Sequence, residues 1–256
     1  MTRAVQTGTK AIQAGPIRRG MVLAAGLGLR MRPITDKTPK PLIAVAGRSL
    51  LDRVIDRLEA AGVGKVVVNA HYMADKVVKH LKKRKTPKIR VSVEEERLET
   101  GGGVAKALPL LGKRPFFVVN GDVLWFDGPY PALTAMMAAW DDSQMDALLL
   151  LHPTNEAYGY EGDGDFVMDP VGRLTRRPER RIAPLLFAGV QILHPRLFDD
   201  AGDGAYSLNV LYDRAIEGGR LFGHLHDGTW FHVGRPRDLD VVEQYLASVD
   251  CGVNRR

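Results

Sequence analysis

Hydrophobic residues along this chain occur in short runs that alternate with stretches in which they recur at helical spacing. Short runs bounded by glycine or polar residues predict buried strands, and helical spacing predicts amphipathic helices. The predicted strands cover residues 21–25, 65–69, 89–93, 116–119, 146–151 and 187–193. The predicted helices cover residues 49–61, 74–81, 104–108, 129–139, 207–216 and 238–247. This alternation predicts an α/β fold, Rossmann-like, with a mixed, mostly parallel sheet and helices on both faces.

The body of the chain shows no internal repeat, low-complexity tract or linker, which predicts a single domain over residues 20–250. Residues 1–19 contain basic residues but no acidic residue and no apolar core. We therefore expect a flexible N-terminal extension there, and not a secretory signal. Residues 163–181 are rich in glycine and arginine and predict a β excursion.

Composition and charge serve mainly to exclude classes of partner. The net charge is +6, but the basic residues are scattered and are not interleaved with aromatic residues, so we expect no nucleic-acid partner. Cys251 is the single cysteine, which is typical of a cytoplasmic protein. No apolar run is long enough to cross a bilayer, so we expect no membrane partner. A monomer and a homo-oligomer are equally compatible with the sequence.

The first predicted strand leads into a segment that contains glycine and positive charge. Gly26 and Gly28 follow Ala25, and Arg30 and Lys40 come next, with Lys40 between two prolines. Glycine lets backbone N–H groups approach a phosphate, arginine offers a planar fork of donors and lysine offers a point charge. The pattern favours a phosphate site at the carboxyl edge of the sheet. A plain structural turn is the alternative.

Two further segments contain candidate ligand-binding residues near the same predicted edge of the sheet. Gly101, Gly102 and Gly103 form a run that can bring a loop close to a flat ligand, although a simple flexible loop is also compatible. Asn120 and Asp122 follow the predicted strand at residues 116–119. A carboxylate at that position can hold Mg²⁺ on phosphates, and the alternative is an ordinary Asn-Gly-Asp turn.

The opening segment GLGLRMRPITDKTPKPL resembles the motif GxGxRxxPxTxxxPKP of the sugar-1-phosphate nucleotidyltransferases. All fixed positions of that motif match, and later segments match in order over nearly the whole chain after residue 20. The resemblance implies an enzyme that makes a nucleotide-sugar and pyrophosphate from a nucleoside triphosphate and a sugar 1-phosphate. It also implies the fold of the nucleotide-diphospho-sugar transferases.

The resemblance also implies roles for individual residues. Arg30, Lys40 and Asp122 would be catalytic: Arg30 on the leaving pyrophosphate, Lys40 on the attacking phosphate and Asp122 on Mg²⁺. The implied nucleotide-binding residues are Ala25, Gly26, Gly28, Arg30, Gly101, Gly102, Gly103 and Asn120. The implied sugar-phosphate-binding residues are Lys40, Gly159 and Asn209. Arg176 and Arg177 are equally compatible with a sugar-phosphate contact and with exposed strand positions.

The chain departs from the family pattern in the segment TWFHVGRP. The family has an aspartate, the second magnesium ligand, where this chain has His232, and a threonine where it has Arg235. Asp122 and His232 are the candidate metal ligands. Because imidazole is a poor ligand for Mg²⁺, Mn²⁺ is an alternative ion. Three alternatives remain open. The second ligand could come from elsewhere in the chain, or Asp122 could hold the ion with water and substrate phosphates alone. His232 could also have only a packing role beside Trp230.

The segment LETGGG resembles the branch of the family that uses UTP. The chain ends soon after the predicted domain, which favours the short uridylyltransferases, including those of N-acetylmuramate 1-phosphate. Guanylyltransferases of mannose 1-phosphate, thymidylyltransferases of glucose 1-phosphate and a non-catalytic nucleotide-sugar-binding protein are the alternatives. An NAD-binding oxidoreductase is disfavoured, because Met31 occupies the third glycine position of GxGxxG.

Overall fold

The computed structural model describes residues 15–253. Residues 1–14, most of the predicted N-terminal extension, lie outside the described residues, and the assignment of one domain to residues 20–250 stays a prediction. No helix within the described range is both long enough and apolar enough to cross a membrane.

Single α-helices separate single strands or short runs of strands along the chain. The strands are β1 (Arg19–Leu23), β2 (Ala44–Val45), β3 (Arg48–Ser49), β4 (Lys65–Ala70), β5 (Lys88–Val93), β6 (Phe116–Asn120), β7 (Leu124–Phe126), β8 (Ala147–Pro153), β9 (Phe166–Met168), β10 (Leu174–Arg176), β11 (Leu185–Leu193), β12 (Leu221–Leu225) and β13 (Thr229–Phe231). The α-helices are α1 (Leu50–Ala60), α2 (Ala74–Leu81), α3 (Glu99–Leu111), α4 (Ala132–Ala139), α5 (Leu208–Glu217) and α6 (Pro236–Val253).

Nine of these strands form one mixed sheet. Strands β6, β1, β4 and β5 run parallel in that order, so their carboxyl ends meet at one edge. Strand β11 joins β6 in the antiparallel direction and also pairs with β8 and β9. The prediction of a mixed α/β sheet is confirmed, and its parallel core is the part that can build a ligand site at the carboxyl edge.

Side chains alternate between two hydrophobic cores, one on each face of the sheet. In β1, Val22 packs with α1, α2 and α4 on one face. Its neighbour Met21 packs with α3 and α5 on the other face. The predicted placement of helices on both faces is therefore confirmed. The residues at the carboxyl edge therefore stand on a sheet that is packed on both faces.

A small third layer was not predicted from the hydrophobic pattern. Strands β7 and β13 pair as an antiparallel ribbon of three residues each, which packs with α6 and with the β2–β3 hairpin. The ribbon places the segment after Phe231 next to the carboxyl edge of the sheet, where Gly234 lines the candidate site and His232 lies behind the lining.

Candidate active site

The loop after β1 folds back on its own motif around Gly28. Gly28 has a left-handed backbone with φ of 63°, and a Cβ there would lie 2.9 Å from Thr35 Cγ2 and 3.0 Å from Lys40 Cβ. Thr35 Oγ1 donates a hydrogen bond to the Gly28 carbonyl at 2.9 Å. Both the backbone angle and the close approach require glycine. This packing is what carries Lys40 beside the glycine loop.

A cavity of about 490 Å³ opens at the carboxyl ends of β1, β4 and β6. Its size is within the range of small-molecule sites, and its position is where open α/β sheets bind ligands. Predicted site residues from two distant segments line it: Ala25, Gly26, Gly28, Arg30, Lys40, Asn120 and Asp122. The structure brings these two segments together at one cavity, and their functional roles stay predictions.

Lys40 and Asp122 are 82 positions apart in the sequence and meet at this cavity. Lys40 Nζ donates to Asp122 Oδ2 at 2.6 Å. Lys40 is only 9% exposed, whereas 38% of the Asp122 side chain is exposed. Pairing with the carboxylate offsets much of the cost of burying the ammonium group. The predicted convergence of cation and carboxylate is confirmed.

Arg30 lies in the cavity wall with an exposed side chain. Its neighbour Arg32 points elsewhere and forms an ion pair with Asp36 at 3.1 Å. Arg30 is therefore the arginine of this motif that can present its guanidinium to a ligand in the cavity, and its role on the leaving pyrophosphate stays a prediction.

The glycine run at residues 101–103 is not a loop, and that prediction is wrong. Helix α3 already begins at Glu99, so Gly101, Gly102 and Gly103 lie buried in its first turns. The N–H groups of Gly101 and Gly102 both donate to the Tyr206 carbonyl, at 2.8 and 3.2 Å. Gly103 packs against a buried carboxylate, Glu94. These glycines allow close packing of the helix, and none of them lines the cavity.

Four residues that the sequence reasoning missed line the cavity near this helix: Glu94, Arg97, Glu99 and Thr100. Glu94 follows the last residue of β5, and Asn69, which also lines the cavity, lies at the end of β4. Polar residues at the carboxyl ends of two parallel strands were the signal that could have identified this wall.

The predicted sugar-phosphate residues Gly159 and Asn209 do not line the cavity. Gly159 has φ of 73°, and its missing Cβ lets residues 158–160 run against the carbonyl of His232, 3.1 Å from where a Cβ would be. Asn209 lies at the start of α5, where its side chain and carbonyl accept hydrogen bonds from Arg176. Arg176 also pairs with Asp213 at 2.7 Å, so the structure favours its role as an exposed strand residue.

The sequence model of the nucleotidyl transferase family matches residues 19–248. The chain belongs to this family. An N-acetylmuramate alpha-1-phosphate uridylyltransferase from Caulobacter vibrioides is 44% identical over 232 residues, which cover 89% of this chain and 96% of the relative. A protein of the same name from Neisseria meningitidis is 37% identical, covering 84% of this chain and 93% of the relative. The predicted membership is confirmed, and the chain is a nucleotidyltransferase.

A solved structure supports the same fold independently. The inositol-1-phosphate CTP transferase from T. maritima superposes with a TM-score of 0.74 at 18% identity, over 91% of this chain and 96% of that chain. The mixed sheet and its flanking helices are therefore the common framework of this nucleotidyltransferase and its structural relative.

His232 lies close enough to the cavity of the nucleotidyltransferase to respond to its charges. Burial lowers the pKa of His232 below 6.5, and the positive charges of Arg30 and Lys40 lower that pKa further. Its ring also packs near Trp230 and Tyr160, at 6.1 and 6.2 Å between ring centres. The histidine is thus neutral at neutral pH, a form in which a ring nitrogen can bind a metal.

Asp238, the first acidic residue after His232, is hydrogen-bonded to the backbone. Asp238 Oδ2 accepts hydrogen bonds from the N–H groups of Gly234 and Arg235, at 2.8 and 2.7 Å, at the start of α6. Between residues 15 and 253, no cluster of three or more histidine, cysteine or acidic residues could hold a metal by itself. Mg²⁺ commonly binds one or two carboxylates together with substrate phosphates and water, and Asp122 fits that pattern.

Proposed function

We propose that this nucleotidyltransferase transfers a uridylyl group from UTP to N-acetylmuramate 1-phosphate and releases pyrophosphate. The substrates are those in the names of the two relatives, which are 44% and 37% identical to the chain over nearly their full lengths. The observation that carries the chemistry is the meeting of Lys40 and Asp122 at a cavity bounded by the glycine loop.

The reaction joins two groups of like charge. An oxygen of the sugar phosphate attacks the α-phosphorus of UTP, and the bond between that phosphorus and the pyrophosphate oxygen breaks. Such a transfer depends on positioning and on neutralising charge, with little covalent help from the protein. Lys40 supplies a fixed positive charge for the attacking phosphate, and its pairing with Asp122 holds the ammonium in place beforehand.

Arg30 acts at the other end of the triphosphate. Its guanidinium is exposed in the same wall and can donate to oxygens of the leaving pyrophosphate, on which negative charge grows during the transfer. Gly26 and Gly28 line the same cavity, and a residue without a Cβ lets phosphate oxygens come close to the backbone.

Asp122 and His232 are the residues that would hold a divalent ion. A bound Mg²⁺ or Mn²⁺ supplies positive charge to the phosphate oxygens. Asp122 is the main ligand in this proposal, because its side chain faces the cavity and oxygen is the preferred donor for Mg²⁺. His232 contributes a neutral nitrogen nearby, which suits Mn²⁺ better than Mg²⁺.

A pyrophosphate-release assay over four nucleoside triphosphates and a small panel of sugar 1-phosphates tests the proposal. We expect the highest rate with UTP and N-acetylmuramate 1-phosphate. A higher rate with GTP and mannose 1-phosphate, or with dTTP and glucose 1-phosphate, would assign the chain to one of those activities instead. Binding without release of pyrophosphate would point to a nucleotide-sugar-binding protein. The cytoplasmic location stays a prediction.

A further inference from the structure

We propose that Asn69 and Glu94 form a buried clamp that positions the two walls of the nucleotide site relative to each other. The clamp consists of these two side chains and the backbone N–H groups of Ala24 and Leu98. The proposal assigns positioning roles to residues outside the catalytic set and rests on the proposed nucleotidyl transfer.

Three hydrogen bonds hold the clamp together, and Glu94 accepts one of them from each side. The Ala24 N–H donates to Asn69 Oδ1 at 2.7 Å, and Asn69 Nδ2 donates to Glu94 Oε1 at 2.7 Å. The Leu98 N–H donates to Glu94 Oε2 at 3.1 Å. The amide needs an oxygen toward Ala24 and a donor toward Glu94, while Glu94 must accept on both oxygens. Only an amide at 69 with a carboxylate at 94, or the reverse arrangement, satisfies every group.

The clamp is buried although it contains a charge. Asn69 is 2% exposed and Glu94 is 3% exposed. A buried carboxylate is costly unless it is hydrogen-bonded, and here both of its oxygens have partners. The geometry is therefore strongly fixed, since any rotation of either side chain leaves a buried polar atom without a partner.

The clamp also explains why residue 103 is a glycine. A Cβ at this position would lie 2.9 Å from Glu94 Oε1 and 3.0 Å from Asn69 Nδ2. Helix α3 approaches the clamp so closely that only glycine fits between them. This contact explains the third glycine of the run without any contact to a ligand.

The two ends of the clamp belong to two different stretches of the cavity lining. Ala24 begins the glycine loop, which lines the cavity where phosphates would bind. Leu98 lies between Arg97 and Glu99, which line the cavity at the start of α3. A nucleoside triphosphate bound along this lining would contact both stretches. We therefore expect the clamp to act on nucleotide binding more than on binding of the sugar phosphate.

Exchange of amide and carboxylate tests the clamp. In Glu94→Gln two amides meet, and in Asn69→Asp two carboxylates meet, so each single variant loses a buried hydrogen bond. We expect each to raise KM for UTP by about tenfold or more, with KM for the sugar 1-phosphate within about twofold of wild type. The double variant N69D/E94Q restores every donor–acceptor pair, and its KM for UTP should return to within about threefold of wild type.

A buried hydrogen bond far from the cavity provides the matched control. Tyr212 Oη donates to Gln191 Oε1 at 2.6 Å in the core. Tyr212→Phe should lower the melting temperature and leave KM for UTP unchanged. The proposal is overturned if Glu94→Gln has the wild-type KM for UTP, if the double variant is no better than the worse single variant, or if Tyr212→Phe raises KM equally.

Two measurements keep the test independent of variant folding and of the proposed substrates. In the wild-type protein, the Ala24 and Leu98 amides should exchange with deuterium slowly, and rapid exchange of either would refute the clamp. If the wild type does not turn over UTP, the proposed function fails, and the same variants are compared with the nucleoside triphosphate that it binds most tightly.

Discussion

At the scale of single residues, Lys40 determines the charge balance of the cavity. Its ammonium is almost fully buried and depends on Asp122, 2.6 Å away, for its counter-charge. Asp122 keeps part of its side chain in contact with solvent. Loss of Lys40 therefore leaves a carboxylate that water can still solvate, which is why we expect a change at this position to affect catalysis more than folding.

Replacement of Lys40 by alanine should reduce turnover by at least about a hundredfold, because the fixed charge for the attacking phosphate is lost. The circular dichroism spectrum and melting temperature should stay close to wild type. Lys37→Ala is the control, since Lys37 is an exposed lysine of the same segment that does not line the cavity. Near wild-type turnover in Lys40→Ala would contradict the role assigned to Lys40.

His232 tests the metal assignment. If it lies at the metal, His232→Asp supplies a second carboxylate and should preserve or raise the Mg²⁺-dependent rate relative to the Mn²⁺-dependent rate. The measurement is turnover as a function of each ion for both proteins. A collapse in thermal stability, with no change in ion preference, would show that packing against Trp230 and Tyr160 is the main role of His232.

At the scale of elements, helix α3 shows where sequence reasoning reached its limit. Three consecutive glycines are poor helix formers, so the pattern predicted a loop there. Bonds from Gly101 and Gly102 to the Tyr206 carbonyl override that preference. Such a contact links residues about a hundred positions apart, and no local pattern records it. By contrast, the helix predicted over residues 49–61 is confirmed as α1, whose N-cap is Ser49, because capping is local.

In the candidate site too, local patterns were predicted and long-range contacts were not. The glycine loop, Lys40 and Asp122 were predicted because a long motif marks them and because parallel strands end at one edge. Glu94 was missed although it follows β5 directly, because the sequence does not show that Asn69, at the end of β4, lies beside it. Asn209 was assigned to the site although its partner proved to be Arg176, a pairing that only the tertiary structure reveals.

Gly101→Ala tests the packing role of the glycine run. A Cβ at residue 101 would collide with the Tyr206 ring and lie 2.9 Å from the Tyr206 carbonyl oxygen. We expect a loss of about 1–3 kcal/mol in the free energy of unfolding, measured with urea. Gly202→Ala, where a Cβ would meet nothing within 4 Å, should change it by less than about 0.5 kcal/mol. Equal stability of the two variants would contradict the packing role.

At the scale of the whole molecule, one sheet with a hydrophobic core on each face supports a polar edge. The fold also covers ionisable groups: burial lowers the pKa of five histidines below 6.5, of which His152 and His226 are buried and the others half-buried, namely His152, His194, His224, His226 and His232. His152 and His226 are adjacent, with 5.7 Å between ring centres. The folded state therefore resists protonation of these groups.

This resistance predicts acid sensitivity of the fold. Above pH 6.5 these histidines are neutral in both the folded and the unfolded chain, so they have little effect. As the pH falls below 6.5 the unfolded chain binds protons that the folded chain does not, and the free energy of unfolding decreases. Urea unfolding at pH 7.5 and 5.5 should show this loss, and His152→Leu should show a smaller one. Equal or greater stability at pH 5.5 would contradict the prediction.

The most direct measurement of the central claim is formation of pyrophosphate and UDP-N-acetylmuramate from UTP and N-acetylmuramate 1-phosphate, by wild type and Asp122→Asn side by side. Asparagine keeps the shape of Asp122 and removes the charge that lies 2.6 Å from Lys40. The account predicts equal amounts of both products from the wild type and a rate at least about a hundredfold lower from the variant. Equal rates from the two proteins would contradict it.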